Sequence, residues 1–432
     1  MTDIILYGRG KTGESLHKMV NRLGMSCTFY DDTNGFEKGC EFSSHSLVIT
    51  SPGVRPNAAG MCLAKQSGAK IVDELDFCFP YCKSPCVSVT GTNGKTTTCQ
   101  LIFHVLQSAG KKARLLGNGG VPFSSEVMDI SKDEIAVLES SSFQLDCAQH
   151  FAPFISVVTN IAPDHLDYHE NLDNYIRAKC NNFLHQKADS YAVFNADDQT
   201  ALNVSADSPA YTLYYSTQNH NANCYYADGV LHLNCCGENI NYACDFLRTL
   251  RKHNLSNALC AVLVCYLLGV SVDESCKGVS TYKYLPHRLQ TVAEFNGVTF
   301  VDDSKATNVH ATVSALECFE NVPLALILGG SDKGCEFDEV FRHLNSNVKL
   351  VCALGETSNK IFETSQRYFV QVKKCESYEQ AVELCYRKIK NIGGVVLMSN
   401  ACASFDMFDG YDKRGDYFVK LVEELCRGEK KN

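Results

Sequence analysis

The chain has 432 residues, of which 45% are hydrophobic and 21% are charged, and its formal net charge at pH 7 is -9. A chain of this length exceeds what one hydrophobic core usually serves, so we expect two or three domains. The acidic balance argues against nucleic acid as a partner, because nucleic acid is bound mainly through cationic contacts to phosphate.

The N-terminus, MTDIILYGRG, runs directly into a strand pattern and has no basic segment followed by an apolar one. No apolar run approaches the length of a membrane span. We therefore expect a cytoplasmic protein with no membrane partner. We also expect a monomer. The 23 cysteines include no C-x-x-C pair and many lie in apolar runs, so we interpret them as buried thiols rather than as disulfides or zinc ligands.

The first segment is typical of a β-α-β unit, with a strand at DIILYG, the glycine run GRGKTG at residues 8–13, a helical ESLHKMVNRLG and a second strand at SCTFYDD. G-x-G-x-x-G followed about twenty residues later by Asp31 and Asp32 is the pattern of a dinucleotide site. The same spacing suits any ligand whose phosphates rest on a helix N-terminus. A nicotinamide cofactor is therefore the weaker interpretation.

A second α/β segment begins near Ser84, with strand-like runs at CVSVT, EIAVLES, FISVVTN and SYAVFN and a buried-helix pattern at HNLSNALCAVLVCYLLG. The pattern breaks near residues 281–286. A third segment follows, with two strands around an Asn-Gly turn and further strands at LALILGG, KLVCALG and GGVVLMS.

We therefore predict three α/β domains. Residues 1–83 form a Rossmann-like β-α-β domain, residues 84–283 a P-loop-type ATPase domain with a mostly parallel sheet, and residues 284–432 a second Rossmann-like domain.

The stretch VTGTNGKTTT at residues 89–98 predicts a phosphate site. A strand that ends in a glycine loop, followed by Gly94-Lys95-Thr96 at a helix start, offers backbone N–H groups to an anion. Lys95 would reach the β- and γ-phosphates, and Thr96 would coordinate Mg²⁺. The usual pattern has a glycine where Val89 stands, so a polar turn is the alternative.

The sequence GTNGKTT at residues 91–97 resembles the phosphate loop of the Mur ligase and folylpolyglutamate synthetase superfamily, whose ATP-dependent enzymes join a carboxylate to an amine. Glu139 in AVLESSSFQL, His165 in NIAPDHLDYHE and Lys179 in NYIRAKCNN extend the resemblance. LPHR, DDSKATN, LGGSDKG and SNACASFDMFDGY follow in order, with DDSKATN at residues 302–308. Over nearly the whole chain these motifs resemble the branch of the Mur ligase family that adds D-glutamate to UDP-N-acetylmuramoyl-L-alanine.

The resemblance implies an acyl-phosphate mechanism and three groups of binding residues. The ATP group is Gly91, Thr92, Asn93, Gly94, Lys95, Thr96, Thr97, Arg288, Asp303 and Asn308. The UDP-substrate group is Gly10, Lys11, Thr12, Asp32, Ser51, Pro52, Gly53, Asn118, Ser141, Gln144 and His165. The D-glutamate group is Lys305, Thr307, Lys333, Ser404, Phe405 and Tyr411.

It also implies two Mg²⁺ sites, with Thr96 and Glu139 at the first and with His165 and Lys179 at the second. Lys179 would carry a carbamate formed from CO₂, because oxygen anions are the ligands that Mg²⁺ prefers. Lys95, His165 and Lys179 are the implied catalytic residues.

Four residues depart from the family's usual pattern, although none of them removes a catalytic group. Tyr411 stands where phenylalanine is usual and Phe405 where leucine is common. Asn400 stands where proline is frequent, and Tyr168 where arginine often follows the histidine-aspartate element. The departures at residues 405 and 411 fall within the implied amino-acid pocket.

Each motif also has an ordinary interpretation. Without the resemblance, His165 is a surface histidine, Lys179 a solvated helix lysine, Ser404 a loop serine, and Asp303 with Lys305 a surface ion pair. Three alternative functions follow: another amide ligase of the superfamily, an ATP-hydrolysing switch that joins nothing, and a dehydrogenase that uses the N-terminal glycines.

Overall fold

The computed structural model describes residues 3–37, 40–332, 334–368 and 370–429. The chain divides into two compact units, residues 1–282 and 283–432. The first unit carries two sheets and the second carries one, and most neighbouring strands are parallel. The predicted α/β class is confirmed. The boundaries at 83/84 and 283/284 stay a prediction, and each of the three predicted ranges contains one sheet.

The first sheet has the strand order β3-β2-β1-β4-β5, and only β2 and β3 are antiparallel. Gly13 lets the first helix approach the first strand, because a Cβ there would lie 2.0 Å from the Gly8 carbonyl oxygen. The strands are β1 (Asp3–Tyr7), β2 (Cys27–Asp31), β3 (Gly35–Phe36), β4 (Ser46–Thr50) and β5 (Lys70–Asp73), and the helices are α1 (Lys11–Arg22), α2 (Ala59–Gln66) and α3 (Glu74–Cys78).

The second sheet has the order β14-β13-β12-β11-β10-β9-β6-β8-β7, parallel except for the β12-β13-β14 end. Its strands are β6 (Cys86–Thr90), β7 (Lys112–Gly117), β8 (Glu134–Glu139), β9 (Ile155–Val158), β10 (Tyr191–Asn195), β11 (Tyr211–Ser216), β12 (Cys224–Ala227), β13 (Val230–Cys235) and β14 (Glu238–Ala243). Its helices are α4 (Lys95–Ser108), α5 (Phe123–Glu126), α6 (Ser142–Leu145), α7 (Leu166–His169), α8 (Leu172–Cys180), α9 (Gln199–Val204), α10 (Lys252–Leu267) and α11 (Val272–Thr281).

The apolar run in the second segment forms α10, and residues 257–265 of that helix are all buried, as predicted. Cys260 and Cys265 lie among these residues and pack as small apolar side chains. Short 3₁₀ turns occur at Phe79–Tyr81, Val127–Asp129, Ser205–Asp207 and Asp245–Thr249.

One hydrophobic cluster joins the two sheets of the first unit. Leu6 and Leu16 of the first sheet's layer pack in the same cluster as Phe123 and Leu138 of the second. Burial of such side chains is the main favourable term in packing. The two sheets are therefore held as one body, and loops from both can line a shared cavity.

The second unit has a six-stranded sheet of order β15-β16-β20-β17-β18-β19, in which only β15 and β16 are antiparallel. The predicted turn between them is confirmed, because Asn296 and Gly297 both have positive φ, at 49° and 74°. The strands are β15 (Gln290–Phe295), β16 (Val298–Asp302), β17 (Leu324–Gly329), β18 (Val348–Leu354), β19 (Val372–Lys374) and β20 (Gly394–Met398), and the helices are α12 (Val309–Glu317), α13 (Asp338–Arg342), α14 (Ser358–Ser365), α15 (Tyr378–Ile389) and α16 (Tyr411–Glu429).

Across the described ranges, no helix combines the length and the apolarity that crossing a bilayer requires.

Candidate active site

The predicted phosphate loop lies between β6 and the start of α4. Gly94 caps α4 with a φ of 84°, and Gly91 has a φ of 144°. A Cβ on Gly91 would come within 2.0 Å of the Thr159 hydroxyl oxygen, so only glycine fits there. The segment after β9 holds the loop, since Thr92 N donates to the Asn160 carbonyl at 2.8 Å.

Two lysines converge on this loop. Lys95 Nζ donates to the carbonyl oxygens of Gly91 and Thr92, each at 2.8 Å. Lys179 Nζ donates to the same Gly91 carbonyl, also at 2.8 Å, and its side chain is only 1% exposed. The amino groups of two lysines therefore meet at the loop that is predicted to bind phosphate.

Burial lowers the pKa of Lys179 well below its usual range, and the nearby charge of Lys95 lowers it further. The interpretation of Lys179 as a solvated helix lysine is therefore wrong.

The residues implied for the first Mg²⁺ lie on neighbouring strands and their loops. Glu139 ends β8, pairs with Val89 of β6 and is 5% exposed. Thr96 is the second residue of α4 and is half-buried. Their oxygen atoms are the donor type that Mg²⁺ takes, so the residues fit that ion.

Within the described ranges, no three His, Cys, Asp or Glu side chains form a metal-binding group.

His165 has a strained backbone and an aromatic contact. It precedes α7 with a φ of 52°, and its ring packs edge-on against Phe143 at 4.8 Å between centroids. Its Nε2 is 3.8 Å from Asp164 Oδ2. The backbone of a non-glycine residue in this region is held by its surroundings, which is common at functional sites.

A cavity of about 790 Å³ opens beside the GRGKTG loop of the first unit. Nine of the eleven residues predicted for the UDP substrate line it: Gly10, Lys11, Thr12, Asp32, Ser51, Pro52, Gly53, Asn118 and Gln144. Ser141 and His165 are not among the lining residues. Ser141 instead caps α6 and fixes the Gln144 side chain, whose Oε1 accepts from Ser141 N and Oγ at 3.1 and 3.0 Å.

One contact connects this cavity with the phosphate-loop region. Asn118 lines the cavity, and its Nδ2 donates to Glu139 Oε1 at 3.2 Å. At the other side of the cavity, Asp32 accepts from the Tyr7 hydroxyl at 2.7 Å and from Gly60 N at 2.9 Å. The cavity therefore extends from the Asp32 loop to the neighbour of a predicted metal ligand.

Sequence reasoning missed Glu74, which also lines the cavity and is 1% exposed. No local pattern distinguishes this residue from an ordinary acidic residue in the first turn of a helix.

In the second unit, DDSKATN follows β16 and its polar residues are mostly engaged. Asp303 accepts from Ser399 Oγ at 2.7 Å and from Leu289 N at 3.2 Å, and burial raises its pKa to about 7. The alternative of a surface ion pair with Lys305 is therefore wrong. Asn308 caps α12 by accepting from Ala311 N at 2.8 Å.

The remaining predicted residues of this unit differ in exposure. Lys305 Nζ lies over the Tyr411 ring, 3.8 Å from its centroid, while Ser404 is buried and Phe405 is 67% exposed. Arg288 and Thr307 are half-buried. The charge of Arg288 acts to lower the pKa of Asp303 against the larger effect of burial. Lys333 lies outside the described residues.

A second residue that the sequence reasoning missed is Arg414 of α16, which is fully buried. Its guanidinium donates to Ser304 Oγ and O at 3.0 and 2.8 Å, to Cys402 O at 3.0 Å and to Ala403 O at 3.2 Å. It thus ties DDSKATN to the ACAS segment. A signal existed, because positions 414, 418, 421 and 422 follow the helical period and Phe418, Leu421 and Val422 are buried.

Comparisons with known proteins agree with this arrangement. Residues 89–265 match the model of the Mur ligase middle domain, and residues 287–402 match that of the Mur ligase, glutamate ligase domain. A protein of Thermoanaerobacter sp. (strain X514), named UDP-N-acetylmuramoylalanine--D-glutamate ligase, is 37% identical over 450 aligned positions that cover 98% of each chain. A protein of Alkaliphilus metalliredigens with the same name is 36% identical over 385 positions, covering 88% of this chain and 84% of the relative.

Solved structures share the fold at lower sequence identity. A pseudomurein peptide ligase type C from Methanothermus fervidus has a TM-score of 0.61 and 16% identity, covering 98% of this chain and 100% of that one. MurF ligase from Thermotoga maritima in complex with ADP has a TM-score of 0.59 and 16% identity, covering 91% and 97%. These two likenesses concern the fold alone.

Proposed function

The chain belongs to the Mur ligase family, and from that premise we propose that it is an ATP-dependent ligase that joins D-glutamate to the L-alanine carboxylate of UDP-N-acetylmuramoyl-L-alanine. One observation in the structure of the site gives the main support for this proposal. Asn118 both lines the cavity and binds Glu139 next to the phosphate loop. A UDP-linked substrate in the cavity could therefore present its carboxylate to ATP within one unit.

The reaction explains why so many cations are needed. A carboxylate acylates poorly at neutral pH because oxide would be its leaving group. Attack on the ATP γ-phosphate makes an acyl phosphate, and the amine of D-glutamate then displaces phosphate through a tetrahedral intermediate. Two anions must meet in the first step, so catalysis rests on charge neutralisation and positioning.

In this scheme the residues of the first unit have separate roles. The loop amides and Lys95 would bind the ATP phosphates in place of the carbonyl contacts that the lysine makes now. Thr96 and Glu139 would hold a Mg²⁺ ion, which when bound supplies further neutralisation of phosphate charge. Gly10, Lys11 and Thr12 at the start of α1 would bind the diphosphate of the UDP substrate.

Lys179 would act as a carbamate with His165 at the second metal site. The lowered pKa supports this role, because burial favours the neutral amine over the ammonium form. Its nitrogen can then attack CO₂, and one N–C bond forms as one proton is released. The product is an anion whose oxygen atoms suit Mg²⁺ and whose charge is offset by Lys95.

The second unit would bind D-glutamate and part of the nucleotide. Lys305, Lys333, Thr307, Ser404, Phe405 and Tyr411 form the proposed amino-acid group, and Arg288, Asp303 and Asn308 the proposed nucleotide group. The lysines would face carboxylates of the amino acid. We further propose a cytoplasmic monomer, the compartment being that of ATP and UDP-linked sugars, and sedimentation of the purified protein tests the monomer.

Phosphate release tests the proposed reaction most directly. The enzyme is mixed with ATP, Mg²⁺ and UDP-N-acetylmuramoyl-L-alanine, and each amino acid is added in turn. Release that requires D-glutamate supports the proposal, whereas equal rates with L-glutamate contradict it. Release without any amino acid favours an ATP-hydrolysing switch, and turnover with a folate substrate favours another ligase of the superfamily.

A further inference from the structure

Glu74 has an unusual position for a carboxyl group. It begins α3, directly after β5, and is 1% exposed, yet it lines the 790 Å³ cavity. Buried acidic residues are rare unless their oxygen atoms are paired. The two oxygen atoms of Glu74 differ in this respect.

Glu74 Oε1 is fully engaged, while Oε2 is not. Ser124 donates to Oε1 through its backbone N at 3.0 Å and its hydroxyl at 2.6 Å. Oε2 is buried and forms no hydrogen bond with any part of the chain that the structure describes. A buried polar atom without a partner is destabilising, so such an atom beside a cavity points to a ligand.

The surroundings favour the neutral form of this carboxyl. Burial raises the pKa of Glu74, although the nearby Ser124 and Gln144 side chains lower it in part. The titratable groups of α3 and its N-cap are Asp73, Asp76 and Cys78, and the other charged residues that line the cavity are Lys11, Asp31, Asp32 and Arg55. Lys11 Nζ already donates to the Gly120 carbonyl at 2.7 Å. A neutral Glu74 carries an O–H group, which is a hydrogen-bond donor.

The neighbours of Glu74 indicate which part of a substrate it meets. Glu74 lies beside Ser124 and Gln144, which follow Asn118 and Glu139 closely along the chain, and Asn118 donates to Glu139. Asp32 lies instead among Tyr7, Tyr30 and Gly60. A substrate whose carboxylate reacts with ATP must place its acyl end toward Glu139. The amide-bearing muramoyl portion would then pass Glu74.

We propose that Glu74 is a specificity-determining residue, whose Oε2 donates a hydrogen bond to an amide carbonyl oxygen of the N-acetylmuramoyl-L-alanine portion of the substrate. The inference rests on the proposed function for the identity of the substrate. It adds a donor that recognises the acylated sugar rather than the nucleotide.

Asp73 provides a matched control because it shares the burial of Glu74 and also has one unpaired oxygen atom, but it does not line the cavity. It is 3% exposed, its Oδ2 also lacks a hydrogen bond within the described chain, and burial raises its pKa well above the usual range. It is not among the residues that line the cavity. A change at Asp73 therefore perturbs the same buried cluster without touching a ligand.

The experiment measures the affinity of UDP and of UDP-N-acetylmuramoyl-L-alanine by calorimetry for each variant. Glu74→Met should weaken binding of the muramoyl nucleotide about tenfold and leave UDP unchanged, because one hydrogen bond is lost. Glu74→Gln should stay within about threefold of the wild type, since its amide N–H can replace the donor. Asp73→Asn should leave the ratio of the two affinities unchanged.

Several outcomes would overturn the inference. If Glu74→Met weakens the binding of UDP and of the muramoyl nucleotide equally, Glu74 has a structural role only. If the binding of the muramoyl nucleotide is unchanged, Oε2 contacts water rather than the substrate. A Glu74→Gln variant as weak as Glu74→Met would make the group an ionised acceptor. If the wild type binds UDP and UDP-N-acetylmuramoyl-L-alanine with the same affinity, the result contradicts the proposed function instead.

A second measurement does not require Glu74→Met to fold. The preference of the wild type for the muramoyl nucleotide over UDP should fall as the pH rises through the raised pKa of Glu74, because the donor is lost on ionisation. The preference of Glu74→Gln should not change over the same range. Parallel pH profiles in the two proteins would overturn the inference.

Discussion

The two units use basic side chains in opposite ways. In the first, Lys95 and Lys179 both donate to the Gly91 carbonyl at the edge of a glycine loop. In the second, Arg414 is enclosed and donates to Ser304 and to two backbone carbonyls of the ACAS segment. The ammonium group of a flexible lysine can give up a hydrogen bond to a carbonyl and donate to a phosphate oxygen instead. The planar guanidinium of Arg414 is held in place by several hydrogen bonds at once.

This difference distinguishes basic residues placed to interact with a ligand from a basic residue that stabilises the fold. Burial lowers the pKa of Lys179, so that position can change its chemical state. An arginine keeps its charge when buried, and here the carbonyl dipoles satisfy it. We therefore expect the two lysines of the first unit to act on a ligand, and Arg414 of the second unit to hold loops in place.

The strongest test of the comparison is Lys179→Ala. If Lys179 holds a metal ion through a carbamate, activity should fall at least about a hundredfold, since even outer partners of metal sites contribute about ten- to a hundredfold. ATP binding through Lys95 should remain, because the phosphate loop is a separate contact set. Steady-state phosphate release and nucleotide titration measure the two effects.

Acetate or formate provides the control for this variant. A small carboxylate can enter the vacated space and offer similar oxygen atoms, so it should restore part of the lost rate. Lys179→Ala that stays active without added carboxylate would show that the lysine has no chemical role.

Smaller effects are expected from side chains that bind the amino acid directly. Lys333→Ala and Ser404→Ala should each raise the KM for D-glutamate by roughly ten- to a hundredfold, because each removes a contact with a carboxylate worth about 1.5–3 kcal/mol. The KM for ATP should change far less. An equal rise in both constants would remove these residues from the amino-acid pocket.

Arg414→Met tests whether the buried guanidinium acts through the loops. The change leaves the Ser304, Cys402 and Ala403 carbonyls without their donor, so the free energy of unfolding should fall by about 2 kcal/mol. The KM for D-glutamate should rise up to about tenfold through misplaced loops, with little change for ATP. Denaturant titration and initial rates measure these quantities.

Arg414→Lys is the informative companion variant. It keeps the charge and part of the carbonyl contacts, so its stability and KM should lie between those of the wild type and Arg414→Met. If Arg414→Met loses stability but keeps its KM for D-glutamate, Arg414 supports the fold alone.

The sequence predicted local features well because local geometry determines them. The phosphate loop needs glycine at 91 and 94, and the GRGKTG run needs Gly13 for close packing, so a spacing of a few residues already contains the structure. These two predictions required only the order of strands, loops and helices. The other residues of the cavity lining, such as Ser51, Asn118 and Gln144, were implied by the family resemblance alone.

Glu74 and Arg414 were missed for a physical reason. Their partners lie 50 residues away at Ser124 and 110 residues away at Ser304. A buried polar group is stable only when it is hydrogen-bonded, and no local sequence pattern indicates partners that lie so far away along the chain. Charged residue types are usually exposed, whereas the tertiary structure buries both of these. The one local sign was the helical period that Arg414 shares with Phe418, Leu421 and Val422.

The last expected effect is on stability alone and concerns Asp303, the acidic counterpart of Lys179, because burial favours the neutral form of both. Its folded pKa of about 7 is above the ordinary value of an aspartate. The stability that this group contributes is therefore greatest below about pH 4 and is lost as the pH rises toward 7. The loss should approach about 1 kcal/mol per pH unit within that window.

Asp303→Asn isolates this contribution because asparagine does not ionise. His287, whose pKa is raised by its hydrogen bond with Asp302, also loses stability as the pH rises, but above its ordinary pKa. The measurement is therefore the difference in unfolding free energy between Asp303→Asn and the wild type at pH 5 and at pH 7. That difference should shift in favour of the variant as the pH rises. A constant difference would mean that Asp303 is already ionised at pH 5, and that burial in the second unit, unlike burial at Lys179, does not neutralise the group.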